Sequence, residues 1–353
     1  MYACQQILGH KEEAIAAQTK WQQLGGQVPH TTPVTNAPAV VTAPPATLPA
    51  GATEVNAIKT LLQGKQFDQA LKRAQDNTVS HPELALSWYS LGDVLFVENQ
   101  CAEAITDLTK ANALDPKMGP NWYDLGCCLA IQGNVNDAIP ALIKAVDLMP
   151  EYPRGWEMLT RCYRAQKNLA VGEEEVQSLV NAHPESPYGW GTLGEIQTTE
   201  QMPANALTNL QKAVALKPDY AQGWNSLGLA YGHLQQSDKA LDAFNHAIQS
   251  QPGYDEALNN LGYTYFLAGQ MDKAIDAYKQ ALQSNPNHKR ALINLTTAYA
   301  KENQWGPARD TCAILAKIDP RAASQLSQSF PNAATDSAPS ASAVSIPATP
   351  SAP

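Results

Sequence analysis

The chain has 353 residues, 33 of them acidic and 24 basic, and its formal net charge at pH 7 is −9. This acidic balance argues against a nucleic-acid partner, because phosphate backbones are bound by a basic face. Apolar residues make up 44% of the chain, yet no apolar run approaches the roughly 18–20 residues of a membrane span. We therefore expect an ordered body without a membrane-spanning segment.

The first fifty residues predict a short helical arm followed by an extended linker. In residues 1–25, Ala14, Gln18 and Trp21 fall on one face of a helix. Residues 26–50 are rich in Pro, Thr and Ala, a composition that prevents a helix and favours an extended, partly stiff linker. The pattern of a signal peptide does not occur here. We expect a cytoplasmic location, or a periplasmic or secreted one if the true N-terminus lies upstream.

A unit of 34 residues repeats along most of the remaining chain. Its clearest copy is residues 221–254, which we number as positions 1–34. The residues at positions 7, 8 and 11 follow position 4 by three, four and seven residues, a spacing that places all four on one face of a helix. A second set follows at positions 20, 24 and 27, and proline at position 32 ends the second helix. Eight copies fit residues 51–322 without an inserted or deleted residue.

Small and large residues alternate in a way that explains how such helices pack. Gly or Ala at positions 8, 20 and 27 lets the two helices of a pair approach closely. One pair cannot bury its apolar face alone, so stability must come from the stacking of neighbours. Five tryptophans lie at position 4 of successive copies, and we expect all five in the core: Trp88, Trp122, Trp156, Trp190 and Trp224.

The Trp, Leu, Gly and Tyr at positions 4, 7, 8 and 11, followed by Ala, Phe, Ala and Pro at positions 20, 24, 27 and 32, resemble the tetratricopeptide repeat. The resemblance implies an all-α fold, a right-handed α-solenoid of about eight helix–turn–helix repeats over residues 51–322. Residues 1–25 then correspond to a partial repeat and residues 323–330 to a capping helix. Residues 331–353, rich in Ala, Ser and Pro, correspond to a disordered tail.

No catalytic or metal-binding pattern stands out among the six cysteines and seven histidines. The chain has no Cys-x-x-Cys pair, no His-Glu-x-x-His motif, no Ser–His–acid arrangement and no glycine-rich phosphate loop. We expect Cys128, Cys162 and Cys312 to be buried, and Cys101 and Cys127 to be exposed. The sequence therefore predicts no enzyme activity, no cofactor and no metal.

The family resemblance implies that the first helix of each pair lines a concave groove, with positions 2, 5, 6, 9, 12 and 13 pointing into it. Position 6 is small and polar in most copies: Asn56, Ser90, Asp124, Thr192, Ser226, Asn260 and Asn294. An asparagine both donates and accepts, so stacked copies can hold the backbone of an extended peptide. This is similar to the asparagine ladder of O-linked N-acetylglucosamine transferases, but only Asn260 and Asn294 are adjacent matches. The alternative is that position 6 is a solvated helix face.

Charged residues are a second candidate set for the groove. Arg154, Arg161 and Arg164 occupy positions 2, 9 and 12 of one helix and can hold an acidic segment or a C-terminal carboxylate. The alternative is that they pair within the chain, with Asp124, Glu157 or Glu195. Position 5 carries no lysine in any copy, so the carboxylate clamp known in this family is not expected.

Aromatic residues are the third set, and they serve either as binding residues or as packing residues. They are Tyr89, Tyr123, Phe96, Tyr263 and Phe266.

The resemblance implies a non-catalytic scaffold or adaptor that binds an extended peptide or a partner helix of another protein in its groove. The alternatives are the substrate-delivery repeat region of a larger enzyme, or an envelope or secretion assembly factor whose other module lies elsewhere.

Overall fold

The structure, a computed structural model, describes residues 52–331. The partial repeat and the linker predicted for residues 1–25 and 26–50 lie outside the described residues, as does the tail after Pro331. Within residues 52–331 the chain forms seventeen helices and no strand. The predicted all-α fold of paired helices is therefore confirmed.

The described chain divides into two compact units, with the boundary between Thr192 and Leu193. The first unit contains α1 (Ala52–Gln63), α2 (Phe67–Ser80), α3 (Ala85–Val97), α4 (Cys101–Leu114), α5 (Gly119–Ile131), α6 (Val135–Leu148), α7 (Pro153–Gln166) and α8 (Leu169–Ala182). The boundary lies inside α9 (Pro187–Thr199). The second unit contains α10 (Pro203–Leu216), α11 (Ala221–His233), α12 (Ser237–Ser250), α13 (Asp255–Leu267), α14 (Met271–Ser284), α15 (Lys289–Lys301), α16 (Trp305–Ile318) and α17 (Pro320–Ser327).

The helix bounds keep the same register in every repeat. Odd-numbered helices from α1 to α15 begin at position 1 or 2, and even-numbered helices from α2 to α16 begin at position 17. The last helix, α17, starts at Pro320, three residues before the cap expected at residue 323. The side chain of Asp319 accepts a hydrogen bond from the Ala322 amide (2.9 Å), and Leu326 packs against the adjacent core. An N-cap of this kind explains the earlier start.

The turn inside each helix pair has one left-handed residue, always at position 15. Its φ lies between 56° and 83° at Lys65, Asn99, Gly133, Lys167, Gln201, Gln235, Gly269 and Asn303. In each of these turns the amide of position 16 donates to the carbonyl of position 11, as from Gln236 to Tyr231 (2.9 Å). This is the hydrogen bond of a Schellman motif. It stops the first helix at the same place each time and so fixes where the second helix begins.

Small residues bring the two helices of a pair into contact, as expected from the sequence. A Cβ on Gly194 would lie 2.5 Å from Leu210 Cγ, and one on Gly262 would lie 2.7 Å from Tyr278 Cε1. Where position 8 is glycine, it therefore touches position 24 with no room for a side chain. Alanines at positions 20 and 27, such as Ala240, are fully buried between the same helices.

The tryptophans at position 4 join one repeat to the preceding one. Each indole N–H donates to the carbonyl of the proline six residues earlier, with N···O distances of 2.7–2.8 Å at Trp88, Trp122, Trp156, Trp190 and Trp224. Only Trp156, bonded to the buried Pro150, is itself fully buried; the other four are partly exposed. The expectation that all five lie in the core is confirmed for Trp156. Trp88, Trp122 and Trp224 are partly buried and pack against the core, and Trp190 is also only partly buried.

The cysteine expectations are confirmed for three residues and wrong for two. All five described cysteines are free and buried: Cys101, Cys127, Cys128, Cys162 and Cys312. Cys101 and Cys127, expected to be exposed, lie inside the apolar core of the first unit. Burial raises the pKa of the Cys101 thiol, which makes it a poor nucleophile.

We predict that Gln235→Gly stabilises the protein by about 0.5–1 kcal/mol, because a side chain in the left-handed region is strained and glycine is not. Urea denaturation measures the change. Gly269→Ala at the same position of the next repeat is the matched reverse substitution and should destabilise by about 1 kcal/mol. Two neutral results would show that position 15 carries no strain.

We predict that Trp156→Ala lowers the free energy of unfolding by about 3–5 kcal/mol, as expected for a fully buried large side chain. Trp224→Ala should cost clearly less, because that indole is only partly buried. Thermal and urea unfolding of the two variants make the comparison. Equal losses would contradict the assignment of Trp156 alone to the core.

Candidate functional site

Four asparagines of the second unit form a hydrogen-bonded chain. Asn225 lies on α11, Asn259 and Asn260 lie on α13, and Asn294 lies on α15. The Nδ2 of Asn260 donates to Oδ1 of Asn225, and the Nδ2 of Asn294 donates to Oδ1 of Asn259, both at 2.9 Å. The Nδ2 of Asn259 lies 3.4 Å from Oδ1 of Asn260. Side-chain amides therefore link three consecutive repeats.

Both short bonds join the same two positions. Asn225 and Asn259 are at position 5, and their partners are at position 6 of the following repeat, 35 residues later. We call two residues in these positions a 5–6 pair. The sequence singled out Asn260 and Asn294 as adjacent residues of an asparagine ladder, and each of them contacts a position-5 asparagine that was not a candidate. The missed signal is an asparagine recurring 35 residues after another asparagine.

Positions 5 and 6 of the second unit are more buried than a solvated helix face would be. Asn225 and Asn259 are 8% and 4% exposed, and Ser226 is similarly buried. Asn260 and Asn294 are half-buried, so part of each amide faces solvent. In the second unit, position 6 is therefore buried at Ser226 and partly buried at Asn260 and Asn294.

Exposed apolar side chains continue from the asparagines along the same helices. Leu229 follows Asn225 by four residues, and Tyr263 follows Asn259 by four, with Leu267 a further turn on. Residues four apart share a helix face. Leu229, Tyr263 and Leu267 are 37%, 49% and 68% exposed. We call the four asparagines and these three residues the amide–apolar face.

The aromatic candidates behave differently in the two units. Tyr263 is exposed in the second unit, whereas Tyr89 and Phe96 in the first unit are buried. Tyr123 is half-buried and meets the ring of Tyr152 edge-on, with ring centroids 5.0 Å apart. Tyr89 and Phe96 are therefore packing residues. Of Tyr89, Phe96 and Tyr263, only Tyr263 exposes its ring to solvent, where a partner could contact it.

The polar candidates of the first unit are also unevenly exposed. Asp124, at position 6, is 1% exposed. Arg154 is half-buried and its guanidinium lies 3.3 Å from a carboxylate oxygen of Glu157 on the same helix. Arg161 and Arg164 are exposed on α7. For Arg154 the structure thus shows pairing within the chain, which the sequence left as the alternative to binding an acidic segment.

Neither a metal-binding cluster nor a membrane-spanning helix occurs within residues 52–331. Across residues 52–331, no three His, Cys, Asp or Glu side chains are grouped so that they could hold a metal ion. In the same part of the chain, no helix is both long and apolar enough to span a membrane.

Family comparisons identify the repeats. Residues 129–196, 221–254 and 255–288 match models described as tetratricopeptide repeat, and residues 204–235 match a model described as TPR repeat. The chain therefore contains tetratricopeptide repeats. Such repeats generally serve as protein-interaction scaffolds, in which stacked helix pairs present an extended binding surface.

Several solved structures are similar to this chain at low sequence identity. A chain of the APC/C hetero-tetramer Cut9–Hcn1 is 23% identical with a TM-score of 0.51, and the match covers 72% of this chain and 49% of that one. YrrB, described as a TPR protein with an unusual peptide-binding site, is 22% identical over 55% of this chain and 97% of its own, with a TM-score of 0.38. Pseudomonas aeruginosa pilF is 14% identical over 60% and 96%, with a TM-score of 0.48. This chain spans about half the length of the Cut9–Hcn1 chain that it matches. No curated protein matches it.

We predict that Asn259→Ala destabilises the protein by about 1–3 kcal/mol, because it removes a partner from Asn294 and from Asn260 at once. Chemical denaturation measures the loss. The matched control is Asn56→Ala, at an exposed position 6 on α1, where a surface change should stay within about 0.5 kcal/mol. Equal effects of the two substitutions would show that the asparagine chain adds no stability.

Proposed function

We propose that this protein is a scaffold whose second unit binds an extended segment of a partner protein on the amide–apolar face. The observation that carries the proposal is the chain of side-chain amides beside exposed apolar side chains on α11 and α13. Neither feature is needed to close the helix pairs, which pack through positions 8, 20, 24 and 27.

The amides are suited to a peptide backbone. An asparagine side chain has two N–H donors and an oxygen with two lone pairs. The Nδ2 of Asn260 and that of Asn294 each make one 2.9 Å bond within the chain, so each retains a second N–H. The hydrogen bonds among the asparagines hold the side-chain amides in fixed orientations. A bound segment therefore does not have to order these amides. A backbone carbonyl is the matching acceptor.

The apolar residues are suited to the side chains of the same segment. Leu229 on α11 and Tyr263 and Leu267 on α13 expose large apolar surfaces. Exposed apolar groups with a polar border are typical of protein-interaction sites. An extended segment directs alternate side chains to one side. Its backbone can therefore meet the amides while every second side chain lies on the apolar residues.

An extended segment fits the amide–apolar face better than a partner helix does. A helix bonds its own backbone groups internally and has none to offer to side-chain amides, except at its ends. Against a bound helix, the amides of the asparagine chain would face the side chains of the helix and not its backbone groups. An extended strand has free N–H and C=O groups along its length.

The test begins with selection of peptides from a phage-displayed random library on the immobilised full chain. Selected peptides are synthesised with a fluorophore, and their affinity is measured by fluorescence anisotropy. We expect the double substitution Leu229→Ser and Tyr263→Ala to weaken binding by about tenfold or more, because both side chains lose apolar contact area.

The matched control is Leu216→Ser, which removes an equally exposed apolar side chain of the same unit from the end of α10. It should leave the affinity unchanged. Selected peptides that bind the double variant as tightly as the native chain would refute the site, as would a selection that yields no saturable binder.

A further inference from the structure

Positions 12 and 13 form a second pair that meets across neighbouring repeats. Leu62, at position 12 of the first repeat, and Val97, at position 13 of the second, are each 1% exposed and belong to the same core cluster. In the second unit the Nζ of Lys301 lies 4.7 Å from the centre of the Phe266 ring, again from position 13 to position 12 of the preceding repeat. We call two residues in these positions, 35 residues apart, a 12–13 pair.

The 12–13 pair at Gly232 lacks one side chain. Gly232 is at position 12 on α11, and position 13 of the next repeat is Leu267 on α13. A Cβ on Gly232 would have no heavy atom of the described residues within 4 Å, apart from its chain neighbours and the backbone of its own helix. Leu267 therefore does not cover the glycine, and it is itself 68% exposed. We call this open space the Gly232 gap. In the following repeat, the ring of Phe266 takes the corresponding place.

The side chains nearest to the Gly232 gap along the two helices are apolar. Leu229 precedes Gly232 by three residues and Tyr263 precedes Leu267 by four, so each lies on the same helix face as the residue that follows it. All of these side chains belong to the amide–apolar face. The gap lies seven residues after the hydrogen-bonded 5–6 pair on the same two helices, which is two turns or roughly 10 Å. One extended segment can therefore reach both.

The chain itself shows which group fits between positions 12 and 13. The ring of Phe266 is half-buried and packs against the core of the second unit. Phe96, at position 12 in the first unit, is 5% exposed. The residue that lies over Phe266 is the cation Lys301, whereas Leu267 beside the gap is apolar and uncharged. A phenyl ring therefore suits the gap, since it buries a large apolar area. A charged side chain would lose water there without gaining a partner.

We propose that the Gly232 gap is the subsite for one phenylalanine side chain of the extended segment that binds the amide–apolar face. This inference rests on the proposed function and adds the class of side chain that the site selects. Gly232 then determines specificity, because the space that the partner's ring fills exists only where position 12 has no side chain.

The test uses peptides that are selected on the full chain from the random library and labelled with a fluorophore. We expect phenylalanine to be enriched at one place in these peptides. Gly232→Phe fills the gap with a ring of the chain itself, as Phe266 does in the next repeat. It should weaken binding of a phenylalanine peptide by about tenfold or more. It should change the affinity of the alanine version of the same peptide by less than about twofold, because that peptide does not use the gap.

The matched control is Gly232→Ala, whose single added Cβ meets nothing in the gap. This variant should bind the phenylalanine peptide within about twofold of the native chain. The leucine version of the peptide should bind the native chain more weakly than the phenylalanine version, because leucine buries less apolar area. Thermal unfolding shows whether both variants are folded.

A measurement on the native chain does not depend on the folding of Gly232→Phe. The chain is labelled with ¹⁵N-glycine, and its 21 glycines give a spectrum simple enough to titrate. The amide signal that is missing from Gly232→Ala belongs to Gly232. We expect the phenylalanine peptide to shift this signal saturably, and the alanine version to shift it clearly less.

The outcomes separate this inference from the proposed function. Saturable binders without enriched phenylalanine overturn the subsite alone. The same holds for equal binding of the leucine version, equal losses of both peptides in folded Gly232→Phe, or an unshifted Gly232 amide. A selection without any saturable binder refutes the proposed function, and the subsite with it.

Discussion

The left-handed residue at position 15 is the constraint on which the rest of this structure depends. Eight turns from Lys65 to Asn303 adopt it, although only two of them use glycine, the residue for which it has no steric cost. The same hydrogen bond follows each time, from position 16 to position 11. Because every first helix then ends at the same point, the glycine at position 8 always meets position 24, and every tryptophan at position 4 reaches the proline of the preceding repeat. A shift of one residue in one turn would misplace all of these contacts.

A constant register also decides which side chains of neighbouring repeats touch. Position 5 of one repeat lies against position 6 of the next, as Asn225 and Asn260 show by their 2.9 Å bond. In the second unit these positions carry amides beside exposed apolar groups. In the first unit they carry Tyr89 and the buried Asp124. The scaffold is thus the same in both units, while the chemistry that it can bind depends on a few side chains placed on it.

The sequence predicted the helix pairs well because periodicity is a property of each helix taken alone. The spacing of residues within the repeat predicts the helix starts at positions 1 and 17 and the helix ends at proline. It also predicts the close approach of the helices at Gly194 and Gly262. The sequence could not predict the burial and the contacts of side chains that lie between two helices. Cys101 and Cys127 are buried because they lie in a core to which several helices contribute, and of the five tryptophans at position 4 only Trp156 is fully buried. Asn225 and Asn259 were missed for the same reason, since a 5–6 pair joins two repeats and no pattern within one helix shows it.

A double-mutant cycle on Asn225 and Asn260 tests the central claim, that the register brings position 5 of one repeat against position 6 of the next. The free energies of unfolding of Asn225→Ala, Asn260→Ala and the double variant are compared with that of the native chain. We expect a coupling energy of about 0.5–1.5 kcal/mol, the usual contribution of one hydrogen bond between neutral side chains. A coupling energy indistinguishable from zero would mean that the two side chains do not meet, and would remove the basis of the site proposed on the amide–apolar face.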